Sequence, residues 1–309
     1  MATSRVIAWG LAFLFTYYLP QAVIRQHWDS IVQALARIGF GLGLPVSDAS
    51  FAALAVGSVG TNLVLVILFN LAFLPVYYYS SYFEAYRCDA SEPWPWHSLD
   101  KEKRQRFWTT VAKAFAIVSF NALLVAYSAI YSIAPIARYL GSFKMESATF
   151  PGTIELVAHL GACLLIEDLM FYVTHRTLHT DFLYKHVHSW HHSFQNVIVL
   201  SSETAHPFEY SVGNLLPVTL GPLLLRSHLF TFCWFLALRV AVSHDEHCGF
   251  TIPWSPVRLL PFGSSSLAHS WHHSHTDGMY ASQFSWWDSI FGTDTKFKAW
   301  AKKQRKEKL

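Results

Sequence analysis

Long uncharged segments alternate with short polar ones in the first half of the chain. The 35 residues from 49 to 83 carry no formal charge, and neither do the 24 residues from 114 to 137. About 20 apolar residues in a helix are enough to cross the hydrocarbon core of a bilayer. The pattern therefore predicts two transmembrane helices, the first of which ends near Pro75 and the tyrosines at 77–79, residues typical of the membrane interface.

The segments around these two helices predict further membrane elements. Residues 6–19 form a short aromatic run, which we interpret as a membrane-associated helix. Residues 26–50 contain three glycines and Pro45, which indicate a loop or an interfacial segment. Residues 153–174 predict a returning transmembrane helix, in spite of three acidic side chains within them.

The basic residues predict how these helices are oriented. The connector at 84–106 carries five Lys or Arg residues, and cytoplasmic loops of membrane proteins are enriched in both. We therefore expect this connector in the cytosol. The two crossings that follow it return the chain to the same side, so His175 and everything after it are predicted to face the cytosol.

A second pair of apolar runs, 210–225 and 229–238, lies between histidine-rich segments. At about 1.5 Å per helical residue, each run is too short to cross a bilayer alone, so a re-entrant helical hairpin is the expected structure. The predicted fold is an all-α integral membrane protein with about four transmembrane helices, this re-entrant hairpin, and a cytosolic helical cap.

The composition agrees with a membrane protein, and it disfavours disulfide bonds, a cysteine-rich zinc site and nucleic-acid binding. Hydrophobic residues make up 52% of the chain and charged residues only 14%, outside the usual range of soluble domains. The four cysteines are widely spaced, which indicates buried apolar residues and not a disulfide framework or a zinc ribbon. The tail at 296–309 has seven basic residues against one acidic residue, and beside a membrane it favours an anionic lipid surface over nucleic acid.

Histidines are concentrated in one part of the chain. Fourteen of the 17 lie between positions 175 and 275, and eight of them form three boxes. The boxes are His175 and His179; His188, His191 and His192; and His269, His272 and His273. Because positions i, i+3 and i+4 share a helix face, the imidazoles of each box can point together. Three such boxes in one chain predict a metal site.

The number of histidines predicts two ions. The eight box histidines, together with His206, His244 and His247, supply four to five imidazoles for each of two ions. Imidazole binds zinc, copper, iron and nickel, so ligand type alone does not select the metal. Asp168 and Tyr172 lie on the same helix stripe as His175, and we expect them to orient a ligating imidazole by accepting its other N–H.

Several stretches resemble the sterol desaturase and fatty acid hydroxylase superfamily. These are Glu167-Asp168 leading to Tyr172, the His-Arg-Thr-Leu-His box at 175–179, and the His-Ser-Trp-His-His box at 188–192. The stretches at 205–209, at 247–250 before Pro253-Trp254, and at 286–294 resemble the C-4 methylsterol oxidases in particular. Cys248 and Phe250 depart from the His-Ser-Gly-Tyr of that subfamily, which bears on the identity of the substrate.

This resemblance implies a non-haem di-iron oxygenase of the endoplasmic reticulum that oxidises the C-4 methyl of a sterol with O₂. It implies that electrons come from NAD(P)H through cytochrome b5 and a reductase, and that other enzymes of sterol C-4 demethylation are partners. By the same resemblance, His206 is a ligand or a near neighbour of one. His244, three residues before His247, is an addition to the usual pattern of the family, and it either completes the ligand set or is a polar neighbour. The other ligands implied are His175, His179, His188, His191, His192, His247, His269, His272 and His273.

Alternatives remain open at this point. A sterol C-5 desaturase, a cholesterol 25-hydroxylase type enzyme or a sphingoid-base hydroxylase would have similar boxes. A membrane zinc-binding or zinc-transport protein would instead place its ligands within the spanning helices. We expect three regions: membrane helices and connector at 1–150, a catalytic domain at 151–295 and a basic cytosolic tail at 296–309.

Overall fold

The computed structural model describes residues 19–89, 93–253, 255 and 265–307, and this part of the chain is helical apart from two isolated β-bridges. Two of the helices, at 101–140 and 207–224, are continuous through a π-helical turn. The helices are α1 (Leu19–Gln26), α2 (Trp28–Gly41), α3 (Ala49–Tyr78), α4 (Lys101–Leu140), α5 (Thr153–Leu178), α6 (Asp181–His186), α7 (207–224), α8 (Leu229–Glu246), α9 (Ser266–His275), α10 (Trp286–Phe291) and α11 (Thr295–Glu307).

Three helices of the described residues, α3, α4 and α5, are long and apolar enough to cross a membrane. They contain the two uncharged segments and the returning segment, so these three predicted helices are confirmed as elements. Apolar side chains such as Leu68, Leu71 and Leu74 are more than half exposed on α3, as expected for a surface that faces lipid. The helix predicted for 6–19 lies outside the described residues, except for its last position.

Of the two alternatives for 26–50, the loop is wrong for most of that segment, because α2 occupies Trp28–Gly41, whereas an interfacial segment stays a prediction. Gly39 lies within this helix, where a Cβ atom would be only 3.0 Å from Cβ of Ala52 on α3. The glycine therefore permits close packing of two helices, and this packing outweighs its low helix propensity. The indole of Trp28 also donates to the carbonyl of Met145 at 2.7 Å, which joins α2 to the loop before α5.

The predicted hairpin is present as α7 and α8, but its arms are longer than the apolar runs indicated. Each arm has 18 residues, which corresponds to about 27 Å of helix. At its turn, the amide of Phe143 in the α4–α5 loop donates to the carbonyl of Ser227 at 2.7 Å. The hairpin thus runs beside α5 as far as that loop. Its second arm is longer than the apolar run predicted, but neither arm is among the candidate membrane spans of the described residues. The α8 helix continues past the apolar run because its polar residues find partners inside the protein, as Arg239 does with Glu167 at 2.9 Å.

The histidine-bearing segments meet at the opposite end of these helices. His175 lies in the last turn of α5, and the second box forms a 3-10 helix, His188–Ser193, shortly after α6. Because α7 and α8 are antiparallel, His247 returns to the same end directly after α8. The third box lies on α9, which packs against α8. The hairpin therefore brings the third box back to the first two, as its position in the sequence predicts.

Candidate metal centre

Nine histidines converge in two groups at this end of the helices. Within each group, one ring nitrogen of every histidine lies within 4.8 Å of all the others. Eight of the nine side chains are buried. The first group consists of His175, His179, His188, His192 and His272, and the second group consists of His191, His247, His269 and His273.

Each His-x-x-His-His box contributes to both groups. In the second box, His188 and His192 join the first group and His191 joins the second. The third box is reversed, since His269 and His273 join the second group and His272 joins the first. On the α-helix that carries the third box, residues are about 100° apart, so positions i+3 and i+4 lie on opposite sides of position i and can serve two neighbouring centres. The expectation that the imidazoles of a box point together is confirmed for His175 and His179, which share the first group, and is wrong for the two His-x-x-His-His boxes, which the structure divides.

Backbone carbonyls fix the orientation of the imidazoles in both groups. In the first group, Nδ1 of His179 lies 3.1 Å from the carbonyl of Thr276, and Nδ1 of His272 lies 2.7 Å from that of Gly278. In the second group, Nδ1 of His247 lies 2.8 Å from the carbonyl of Ser243. A carbonyl can only accept, so Nδ1 carries the proton and Nε2 presents a lone pair to the group.

The same assignment extends to His175 and His191. Nδ1 of His175 donates to the carbonyl of Tyr280 at 2.8 Å, and Nδ1 of His191 donates to that of Thr204 at 3.1 Å. In metal sites, a partner on the outer nitrogen sets the tautomer and the direction of the ligating one. Two groups of oriented Nε2 atoms are therefore already formed by the protein itself.

The spacing of these lone pairs fits a bound cation. The Nε2 atoms of His179 and His272 are 3.1 Å apart, and those of His191 and His247 are 3.4 Å apart. With both protons on Nδ1, neither nitrogen of a pair can donate to the other, so the contact is repulsive unless a cation lies between them. Two imidazole nitrogens bound about 2.1 Å from one ion at right angles would be about 3 Å apart. The donor set therefore fits a metal ion in each group.

Burial keeps the imidazoles neutral, as metal ligation requires. Loss of hydration lowers the pKa of His179 and of His191 to about 4. The same effect, with the neighbouring imidazoles adding to it, holds the pKa of His272 and His273 well below the usual range. Because the rings do not compete for protons near neutral pH, their lone pairs are available to a metal ion.

Asp168 and Tyr172, which were expected to accept an imidazole N–H, form other hydrogen bonds. Asp168 accepts from the backbone amides of Gln283 and Phe284, and the hydroxyl of Tyr172 bonds that of Thr293, so neither receives an imidazole N–H as we had expected. The reason is that the loop at 279–285 covers α5, and two of its backbone amides donate to the carboxylate of Asp168. Asp288, in the first turn of α10, accepts from the amide of Tyr280 at 2.8 Å and so holds the carbonyl that orients His175.

His206 and His244 lie outside both groups. His206 caps α7, with its Nδ1 accepting from the amide of Phe208 at 3.1 Å, and its ring packs against Trp190. His244 is fully buried on α8, where its Nδ1 donates to the carbonyl of Val240 at 2.8 Å. Both residues have contacts within the fold, and within the described part of the chain they are not among the nine grouped histidines that could hold a metal ion.

Sequence reasoning did not assign a role to Glu209, which touches a ligand directly. Its Oε1 lies 2.7 Å from Nδ1 of His188, and both side chains are buried. The carboxylate accepts the outer N–H of the imidazole and makes the ligand more basic. The His-Pro-Phe-Glu stretch at 206–209 contains this residue, but the sequence predicted a role for the histidine of the stretch, whereas its glutamate contacts His188.

A cavity of about 160 Å³ extends from the groups into the membrane-spanning part of the protein, between α3, α4, α5, α7 and α8. Ile130, Val218 and Leu236 are among its apolar lining residues. Histidines of both groups line it as well: His175, His188, His191, His247 and His269. A largely apolar molecule in this cavity would therefore have one end beside the two groups.

Comparisons with known proteins agree with this arrangement. The family model described as fatty acid hydroxylase matches residues 160–293, which include all nine grouped histidines. A provisionally named methylsterol monooxygenase of Dictyostelium discoideum is 32% identical over 222 residues, which cover 72% of this chain and 81% of that protein.

Two further relatives show the breadth of the family. Methylsterol monooxygenase 1 of Gallus gallus is 29% identical over 76% of this chain and 74% of its own length. A very-long-chain aldehyde decarbonylase of Oryza sativa is 37% identical over 53% of this chain and 62% of its own length. No solved structure matches the chain. From the matched region and the similarity to relatives over most of its length, this chain belongs to the fatty acid hydroxylase family.

Proposed function

We propose that this protein is a membrane-bound non-haem di-iron oxygenase that oxidises the C-4 methyl group of a sterol. One observation carries the proposal: two groups of oriented imidazoles lie at the end of a largely apolar cavity among membrane-spanning helices. The similarity to methylsterol monooxygenases over about three quarters of the chain supports a sterol substrate.

The chain itself would hold the ions, orient the ligands and exclude water. Iron held by the two groups would supply the activation of O₂ that breaking an unactivated C–H bond requires. The carbonyls of Thr276, Gly278 and Tyr280 and the carboxylate of Glu209 keep four of the rings in place, those of His179, His272, His175 and His188. The apolar cavity wall positions the lipid and keeps bulk water from the reacting carbon.

The proposal includes the cellular setting. We place the protein in the endoplasmic reticulum membrane with the histidine groups on the cytosolic side, where the basic connector predicts them to be. Electrons would come from NAD(P)H through cytochrome b5 and its reductase, and other enzymes of sterol C-4 demethylation would act on the product. A sterol can enter sideways from the bilayer through the helices that line the cavity.

Two measurements test this proposal. Purified protein should contain about two iron ions per chain, and it should oxidise a 4-methylsterol only with O₂ and a reductant. In yeast that lacks its methylsterol oxidase, the wild-type chain should remove accumulated 4-methylsterols, and the His272→Ala variant should not. Zinc as the sole bound metal, with no O₂-dependent turnover, would refute the oxygenase; unchanged 4-methylsterols in the complemented yeast would refute the substrate.

A second candidate is an oxidase of another lipid. The rice aldehyde decarbonylase is more similar in sequence, at 37% identity, although over a shorter part of the chain. A sterol C-5 desaturase, a cholesterol 25-hydroxylase type enzyme or a sphingoid-base hydroxylase would also use such a centre. Lipid profiling in the same yeast separates these candidates, because each predicts accumulation of a different lipid.

A further inference from the structure

The wall that α8 contributes to the cavity changes from apolar to charged along the helix. Phe232 and Leu236 line it first, then Arg239, and then Glu246, one residue before the ligand His247. These residues recur at helical spacing and share one face. The cavity therefore has a polar zone on α8 beside the second group of histidines.

Arg239 and Glu246 are joined in this zone by one serine hydroxyl. Nη2 of Arg239 donates to Oγ of Ser282 at 2.8 Å, and that hydroxyl donates to Oε2 of Glu246 at 3.1 Å. Nε of Arg239 also forms an ion pair with Glu167 at 2.9 Å. The guanidinium is thus fixed on two sides, and Ser282 belongs to the loop that orients His175 through the carbonyl of Tyr280.

Besides the two atoms that form the ion pair, Nε of Arg239 and Oε2 of Glu167, two further polar atoms of this network lack a hydrogen bond among the described residues. Nη1 of Arg239 and Oε1 of Glu246 are buried and have no hydrogen-bond partner within the described part of the chain. Both residues are at least 95% buried, yet both line the cavity. Leaving such groups unpaired costs free energy, so two of them at one cavity wall indicate a ligand group that pairs with them.

The chemistry of the two atoms selects that group. Nη1 of Arg239 can only donate, whereas a carboxylate oxygen of Glu246 accepts. A hydroxyl accepts from the first and donates to the second with one oxygen atom. A ketone would leave the glutamate unpaired, and a carboxylate would repel it.

We propose that Arg239 and Glu246, bridged by Ser282, form an anchor for a hydroxyl group that the lipid substrate carries near the carbon to be oxidised. The anchor rests on the proposed function of the site, and it defines the substrate class further as a hydroxylated lipid. A sterol fits it, because the hydroxyl on C-3 is bonded to the carbon next to C-4. Both residues position the substrate, and the histidine groups carry out the chemistry.

The test measures binding separately from turnover. Dissociation constants of a 4-methylsterol, its 3-keto analogue and its 3-deoxy analogue are determined with the metal-loaded wild-type protein in detergent. A hydrogen bond to a charged partner predicts that the 3-hydroxy compound binds about 10- to 100-fold more tightly than the 3-deoxy compound. Arg239→Met should reduce this preference to less than about threefold, with affinity for the 3-deoxy compound unchanged.

Two further variants keep the test decisive. Glu246→Gln preserves the size of the side chain, so it reports on the anchor even if Arg239→Met fails to fold with Glu167 unpaired. Glu203→Gln is the matched control, since Glu203 is also buried and lines the cavity, but from the segment before α7. The hydroxyl preference should fall in the first variant and persist in the second.

The outcomes separate the anchor from the proposed function. An unchanged preference in Glu246→Gln with wild-type metal content, or no preference in the wild type, would overturn the anchor. Loss of preference in Glu203→Gln alone would place the hydroxyl at that other residue and overturn it as well. If the wild type binds the 3-hydroxy compound preferentially but never oxidises it, the anchor stands and the proposed function fails.

Discussion

The contact between Glu209 and His188 makes the most direct prediction about the metal centre. The carboxylate oxygen lies 2.7 Å from Nδ1 of the imidazole, and the two residues are 4% and 1% exposed, so the contact is shielded from bulk water. Glu209→Ala would leave a buried N–H unpaired, at a cost of about 1–3 kcal/mol. Loss of such an outer partner typically lowers metal affinity about 10- to 100-fold, which is about 1.4–2.7 kcal/mol. The two magnitudes agree.

The assay is the metal content per chain after dialysis against increasing concentrations of a chelator. Glu209→Ala should lose metal at a chelator concentration about 10- to 100-fold lower than the wild type does. Glu209→Gln keeps a neutral acceptor and should fall between them. Glu155→Ala is the control, because it removes an exposed carboxylate from the other end of α5. Retention of metal by Glu209→Ala at wild-type chelator concentrations would refute the reasoning.

Three further predictions follow from the geometry of the groups. His272→Ala and His273→Ala remove ligands from different groups, so each should lower the metal content from about two ions toward one, whereas loss of both ions in each variant would contradict two separable sites. Gly278→Ala should lower the melting temperature, because a methyl group there would lie 2.3 Å from a backbone carbonyl at a φ of +79°, whereas Gly161→Ala on α5 meets nothing within 4 Å and should not. Burial lowers the pKa of His179 to about 4 from an ordinary value of 6.5, so the unfolded chain binds more protons between these values. The melting temperature of the metal-free protein should therefore fall as the pH drops from about 6.5 to 4, and a constant value over that range would contradict neutral buried imidazoles.

The sequence predicted those parts of the structure that depend on local composition. Uncharged runs became α3 and α4, since a long apolar helix needs no specific partner to be recognised. The histidine boxes predicted two ions with four to five imidazoles each, and the structure forms groups of five and four. The hairpin was predicted from a topological requirement, because both of its ends had to reach one site.

The parts that escaped prediction depend on contacts between distant segments. The extent of α8 was missed because Arg239 and Glu246 look like the end of an apolar run, although their partners Glu167 and Ser282 lie elsewhere in the chain. The division of the second and third boxes between two groups depends on how the segment at 188–193 and α9 lie relative to each other. Asp168 shares the helix stripe of His175, but the loop that covers α5 decides what its carboxylate binds.

The segment from 276 to 280 shows how the backbone itself positions the ligands of the first group. Thr276, Gly278 and Met279 all have φ values between +55° and +79°, and this left-handed conformation is unfavourable for threonine and methionine. The turn aims three carbonyls, at positions 276, 278 and 280, at His179, His272 and His175. The amide of Met279 donates to the carbonyl of residue 293 at 3.1 Å, which fixes the turn against the chain beyond α10. The strained turn is therefore part of the centre. Its three carbonyls place the proton on Nδ1 of three rings, and the lone pairs on Nε2 of these rings then face the first group.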